Sequence, residues 1–210
     1  NPVSQAVRNR GIIPRAVEEL FKGAKQSIAD GTHETKITCS YMEIYNERLH
    51  DLLQPYKTDW IRDPNDMVQR KAGLELREDR KGRITIPEMT EVTVSNAPAI
   101  LALIAKGNKN RNVRQTEMNE HSSRSHTILQ LQVEQRAIDD GAGTLVKSKM
   151  NLVDLAGSER WSNTCVMEDE RIGEMNSINK SLSTLASVIA ALSSKVIRTH
   201  IPYRDSKLTH

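Results

Sequence analysis

Along the chain, stretches whose apolar residues recur every three or four positions alternate with stretches that alternate one by one. Pro14 suits the first turn of a helix, and A-V-E-E-L-F with the residues after it predict that helix to about Ala29, ended by Gly31. Residues 36–45, K-I-T-C-S-Y-M-E-I-Y, are rich in β-branched and aromatic side chains and predict a strand. Two short runs, 74–78 and 83–87, bracket D-R-K-G, which predicts a hairpin with Gly82 supplying a positive φ. Asn96 can cap a helix with Pro98 in its first turn and an apolar face of Ile100, Leu101, Leu103 and Ile104; Gly107 is its expected end.

Residues 127–135 alternate, Leu129, Leu131 and Val133 against Gln130, Gln132 and Glu134, which predicts a half-buried strand. The D-D-G-A-G turn at 139–143 leads to a second strand, 144–155, whose end is nearly all apolar and is therefore expected in the middle of a sheet. From about Glu170 the period changes. Ile172, Met175, Ile178, Leu182, Leu185, Ile189 and Leu192 predict a long amphipathic helix of about seven turns. Strands alternating with helices imply a layered α/β architecture with its ligand at the C-terminal edge of the sheet.

Composition narrows the picture. Aromatic residues are only 3% of the chain, so a core must rest on Leu, Ile, Val, Ala and Met. The net charge of +3 is mild and there is no run rich in Lys and Arg, which argues against a nucleic-acid partner. No apolar stretch approaches the roughly 18 residues of a membrane span, so no membrane contact is expected from this segment. Cys39 and Cys165 form neither a disulfide framework nor a C-x-x-C metal motif, and reduced cytosolic thiols are expected.

Two strings carry the chemistry. N-E-H-S-S-R-S-H at 119–126 packs hydroxyls, an Arg and two His into one loop, and D-L-A-G-S-E at 154–159 closes the second strand with a carboxylate, a Gly and another carboxylate. Hydroxyls and an Asp can hold Mg²⁺ and its waters, a Gly amide can meet a phosphate oxygen, and an Arg–Glu pair can lock two loops together. Either string alone would also suit an ordinary turn or a solvated surface pair.

In this order, joined by a strand, the strings resemble switch I and switch II of the kinesin motor domain. G-I-I-P-R at 11–15, S-Y-M-E-I-Y-N-E at 40–47, N-K-S-L at 179–182 and H-I-P-Y-R-D-S-K-L-T at 200–209 resemble kinesin segments in kinesin order, and the likeness is weakest at 54–71 and 161–175. The resemblance implies a P-loop-nucleotidase-like motor fold, with a central mixed sheet flanked by helices, that uses ATP and Mg²⁺. It implies Ser123 and Asp154 on the metal; Asn119, Ser122, Ser123, Gly157 and Asn179 around the nucleotide; and Glu159, Arg124 and Ser122 in catalysis. Its partner would be the microtubule, in the cytoplasm and cytoskeleton, with spindle or cilium as particular settings.

Tubulin is acidic, and Lys195, Arg198, Tyr203, Arg204 and Lys207, after the long helix, are the first candidate contact surface. Arg80 and Lys81, with Arg77 and Arg83 around the hairpin, are the second. No Gly in the chain is followed by Lys, so the phosphate-cradling G-x-x-x-x-G-K-[ST] loop would lie before Asn1, and the last helices and neck after His210. Residues 1–210 therefore read as a partial motor domain, inactive alone, with any dimerising stalk elsewhere. At 164–170 the chain has T-C-V-M-E-D-E where kinesins usually have a T-G-A-x-G-like stretch, an acidic change that would weaken attraction to tubulin. An ATP-driven motor and a kinesin-fold microtubule module without ATP turnover are the two functional classes. A GTP-binding switch shares D-x-x-G but would need an N-K-x-D string, which is absent.

Overall fold

The structure, a computed structural model, describes residues 11–55, 73–118, 124–138, 144–158, 169–194 and 200–210. Helix α1 spans Ile12–Ala29, followed by strands β1 (His33–Tyr45), β2 (Arg48–Asp51), β3 (Arg77–Glu78), β4 (Ile84–Thr85) and β5 (Val92–Val94). Helix α2 (Ala97–Met118), strands β6 (His126–Ala137) and β7 (Leu145–Asp154), helix α3 (Asp169–Ser193) and a 3-10 turn at Tyr203–Asp205 complete the order.

The main sheet runs β2-β1-β6-β7, with β5 on β1, and every described pairing is antiparallel. Register sorts the faces, because alternate residues point to opposite sides. Ile37, Cys39 and Tyr41 of β1 lie beside Leu129 and Leu131 of β6, and this face packs on Val17, Phe21 and Ala24 of α1 and Ile100 of α2. Burial there pushes the Cys39 thiol up to about 11. On the opposite face Met42, Ile44 and Leu49 gather Leu74, Leu76, Ile86, Met89, Ile128 and Leu208.

Most predicted elements form, and the exceptions have physical causes. Asn96 caps α2, its side-chain oxygen accepting from the Ala99 amide at 2.9 Å, yet the helix continues eleven residues beyond Gly107 to Met118. Gly107 is a contact residue inside the helix: a Cβ there would lie 2.8 Å from Cε1 of Tyr41 and closer still to Cδ1. The missing side chain lets α2 seat on the sheet.

Strand β7, expected in the middle, pairs only with β6 among the described residues. Its Met150 and Leu152 pack on the core, while Leu145, Val146 and Val153 are exposed. The apolar stripe of α3 is also split. Met175 and Ile178 are buried with Ser181, Thr184, Val188 and Ala191, whereas Ile189 and Leu192 face outward at 55% and 58% exposure. Gly82 takes φ +74° in the β3–β4 turn as expected.

Candidate functional site

The ends of β1, β6 and β7 meet at one edge of the sheet. Glu43 stands opposite Thr127, and Thr127 opposite Asp154, so all three lie on the α1/α2 face in continuation of Tyr41, Leu129 and Leu152. Glu43 is almost wholly buried and pairs with Arg111 of α2, with Nε 3.1 Å from Oε1. The same guanidinium reaches Ser125, donating through Nη2 to Oγ at 2.8 Å and to the backbone oxygen at 3.3 Å. The guanidinium of this buried pair thus spends further donors on Ser125, the residue immediately before β6, while Glu43 Oε2 is buried with no hydrogen bond among the described residues. Gly107, one turn before Arg111, sets how closely α2 approaches.

Asp154 ends β7 with an exposed carboxylate that makes no hydrogen bond to a described residue. An open carboxylate at a strand end fits a hydrated Mg²⁺, since a hard cation takes oxygen ligands and keeps several of its waters. Gly157 follows as an exposed residue, where an amide is accessible to a phosphate oxygen. Asn119, Ser122, Ser123 and Glu159 lie outside the described residues, so their expected roles rest on the sequence.

On the other face, two side chains tie this edge to α3. Arg124, mostly buried, pairs with Glu174 through Nη1 and Oε2 at 2.7 Å, and the second Glu174 oxygen accepts from the Tyr45 hydroxyl. His126 is buried, with Nδ1 accepting from the Ala156 amide at 2.9 Å and Nε2 2.8 Å from Ser181 Oγ. Burial lowers the imidazole pKa, against a weaker opposing effect of Glu47. Asn179 is half-buried on the same helix.

The second edge of the site is the loop after α3. Asn46 and Glu47 turn the chain between β1 and β2 with φ of 47° and 56°, and the Glu47 carboxylate accepts from Ser206 Oγ at 2.7 Å and from the Lys207 amide at 2.9 Å. Leu208 packs beside Ile44 and Leu49. Arg204 pairs with Glu78 of β3. Asp79 accepts from the Lys81 and Arg83 amides at 2.8 and 3.0 Å, and the Arg83 bonds hold its carboxyl below the usual range. Arg204 of the first expected basic surface therefore touches the hairpin that carries the second. Tyr203 and Lys207 flank Arg204 in the same segment, while Lys195 and Arg198 lie outside the described residues.

Sequence reasoning missed Glu43, Arg111, Glu174 and His126. Signals existed for three of them. Glu43 is a carboxylate at a core-face position of an otherwise apolar strand, and Glu174 and Ser181 stand in the inward stripe of α3 with Ile178. His126 was legible as a loop residue but begins β6.

Among the described residues no helix is long and apolar enough to cross a membrane, and no group of three or more His, Cys, Asp or Glu is placed to hold a metal. The family model for the kinesin motor domain matches residues 3–210. The chain is 41% identical to kinesin-like protein KIN-12D of Arabidopsis thaliana, across 96% of this chain and 7% of that protein. Its fold is similar to the solved structure of a fast kinesin, with 36% identity and a TM-score of 0.76 over 95% of this chain and 51% of that one. It is also similar to the motor domain of the Saccharomyces cerevisiae kinesin-like protein Kar3, with 35% identity and a TM-score of 0.72 over 95% and 55% of the two chains. The chain thus spans about half the length of these solved structures.

Proposed function

Since the chain belongs to the kinesin motor-domain family, we propose that it forms the part of an ATP-driven microtubule motor that senses the γ-phosphate and passes that state to the track-binding surface. The observation that carries this reading is the Arg124–Glu174 pair: the loop predicted to sense the nucleotide is bonded directly to the long helix. That helix leads to the loop whose Arg204 joins the basic hairpin. A helix is stiff along its axis, so a small displacement at Arg124 is carried to its far end.

Asp154 and Ser123 would hold Mg²⁺, which would neutralise charge on the phosphates. Asn119, Ser122 and Asn179 contribute polar contacts around the nucleotide, and the Gly157 amide approaches the γ-phosphate. Loss of that one contact after hydrolysis releases segment 155–158. Arg124 and Glu159 close over the site, and Glu159 accepts the proton of the attacking water through a second water. Arg124 would then exchange between Glu174 and Glu159, as a switch requires. Arg80, Lys81, Tyr203, Arg204 and Lys207, with Lys195 and Arg198, face acidic tubulin and place the protein on microtubules in the cytoplasm.

In the full-length protein, Glu159→Ala cuts microtubule-stimulated ATP turnover by roughly 10²–10⁴ while ATP binding persists, the range for a lost proton acceptor. Arg124→Ala does much the same, and because the two act as a unit the double variant is hardly worse than either single. Losses that multiply would contradict the locked pair. Tight microtubule binding with no turnover in the unaltered protein would instead identify a track-binding module.

A further inference from the structure

The His126 side chain hydrogen-bonds both the segment after Asp154 and α3. Its hydrogen bonds fix its chemistry. The Ala156 N–H can only donate, so Nδ1 is an acceptor and carries no proton. The ring proton therefore sits on Nε2 and is donated to Ser181 Oγ, whose own proton goes to the Ile178 carbonyl at 2.7 Å. Backbone, ring, hydroxyl and backbone form one directed chain across three elements, at a position 3% exposed where water offers no substitute partner.

A planar ring bonded at opposite ends has little freedom to absorb movement. If segment 155–158 shifts, either the imidazole follows and carries Ser181 with it, or a buried polar group loses its partner at a cost of about 1–3 kcal/mol. The Arg124–Glu174 pair meets α3 seven residues earlier, about 10 Å along the axis. A helix tied at one point can pivot. Tied at two, it holds its angle, and of the two ties only His126 also reads the segment carrying Gly157.

We propose that His126 is a positioning residue, a neutral imidazole that couples segment 155–158 to α3 through Ser181, so that the position of each sets the position of the other. This rests on the proposed function for its consequence but not for the tie itself, and the two are tested separately. Ser181→Ala removes one oxygen at the far end of the ring and leaves Ala156 untouched. Measured by amide hydrogen exchange on the full-length protein without microtubules, it speeds exchange at Ala156 several-fold relative to the core amides of β6. Unchanged relative exchange at Ala156 overturns the proposal.

The consequence is read by microtubule co-sedimentation with ADP and with a non-hydrolysable ATP analogue. Asn at 126 keeps an acceptor near the Nδ1 position but does not reach Ser181, and Gln keeps a donor near Nε2 but loses the acceptor for Ala156. His126→Asn, His126→Gln and Ser181→Ala should each shrink the affinity ratio between the two nucleotide states at least about fivefold, the lower end of ordinary coupling. Ser181→Ala decides where an imidazole variant does not fold. A retained ratio in folded variants overturns the coupling. A wild-type protein whose microtubule affinity ignores the nucleotide overturns the motor reading, and the exchange result then judges the tie alone.

Discussion

Arginine meets a carboxylate at both ends of this molecule, with opposite consequences. At the edge formed by β1, β6 and β7 the pairs are buried: Arg111–Glu43 has side-chain exposures of 13% and 1%, and Arg124–Glu174 of 17% and 15%. At the basic surface they are open, with 70% and 32% for Arg204–Glu78 and 73% and 34% for Arg83–Asp79. Buried pairs are shielded from salt and neither charge can be left without a partner cheaply, so they hold positions unless another carboxylate takes over. Exposed pairs add little stability, and their charges remain available to a partner. The same chemistry fixes positions at one end and leaves charge accessible at the other, as the proposed switch and docking surface would need.

The contrast is testable by substitution at each end. Arg111→Ala leaves the Glu43 carboxylate buried without its cation and should cost about 3–5 kcal/mol, measured by chemical denaturation. A loss below 1 kcal/mol would mean that water reaches Glu43 and that the buried end is no different from the open one. Gly107→Ala forces a methyl against the Tyr41 ring and lifts α2, with Arg111 on it; about 1–3 kcal/mol should be lost. Acid provides a third probe. His126 is held neutral in the fold with its pKa lowered, so the unfolded chain binds more protons below the ordinary imidazole value of about 6.5. Stability should be full above that value and fall as pH drops below it, and Ser181→Ala should leave this slope in place because burial, not the hydroxyl, causes the shift. Smallest is Arg204→Ala, which should change stability by less than about 1 kcal/mol even at low salt.

Periodicity revealed the elements wherever an element has one wet and one dry face. The helix ending at Ala29, the 127–135 alternation and the long C-terminal helix all follow from it. It failed where the decisive contact is between elements. Gly107 reads as a stop signal because a missing side chain looks the same at a helix end and at a close approach; only the Tyr41 ring separates them. An apolar run such as 150–155 reads as central, but whether both its edges are paired depends on strands that the run itself does not specify. For the candidate site, the motifs singled out Arg124, Asp154 and Gly157. They did not reveal that Arg124 meets Glu174 fifty positions away, or that Arg204 meets Glu78 of the hairpin. Those are facts of register and packing, which no local string encodes.

The division between a buried switch and an open docking surface is tested most directly by microtubule-stimulated ATPase of the full-length protein across a salt series. Arg124→Ala is compared with the double reversal Arg204→Glu and Lys207→Glu. Arg124→Ala should lower maximal turnover by a similar factor at every salt concentration. The double reversal should instead raise the half-saturating microtubule concentration several-fold to a hundredfold at low salt, with the difference shrinking as the screening length falls to about 8–10 Å and below. A salt-dependent defect in Arg124→Ala, or a charge reversal that lowers turnover equally at all salt concentrations, would contradict it.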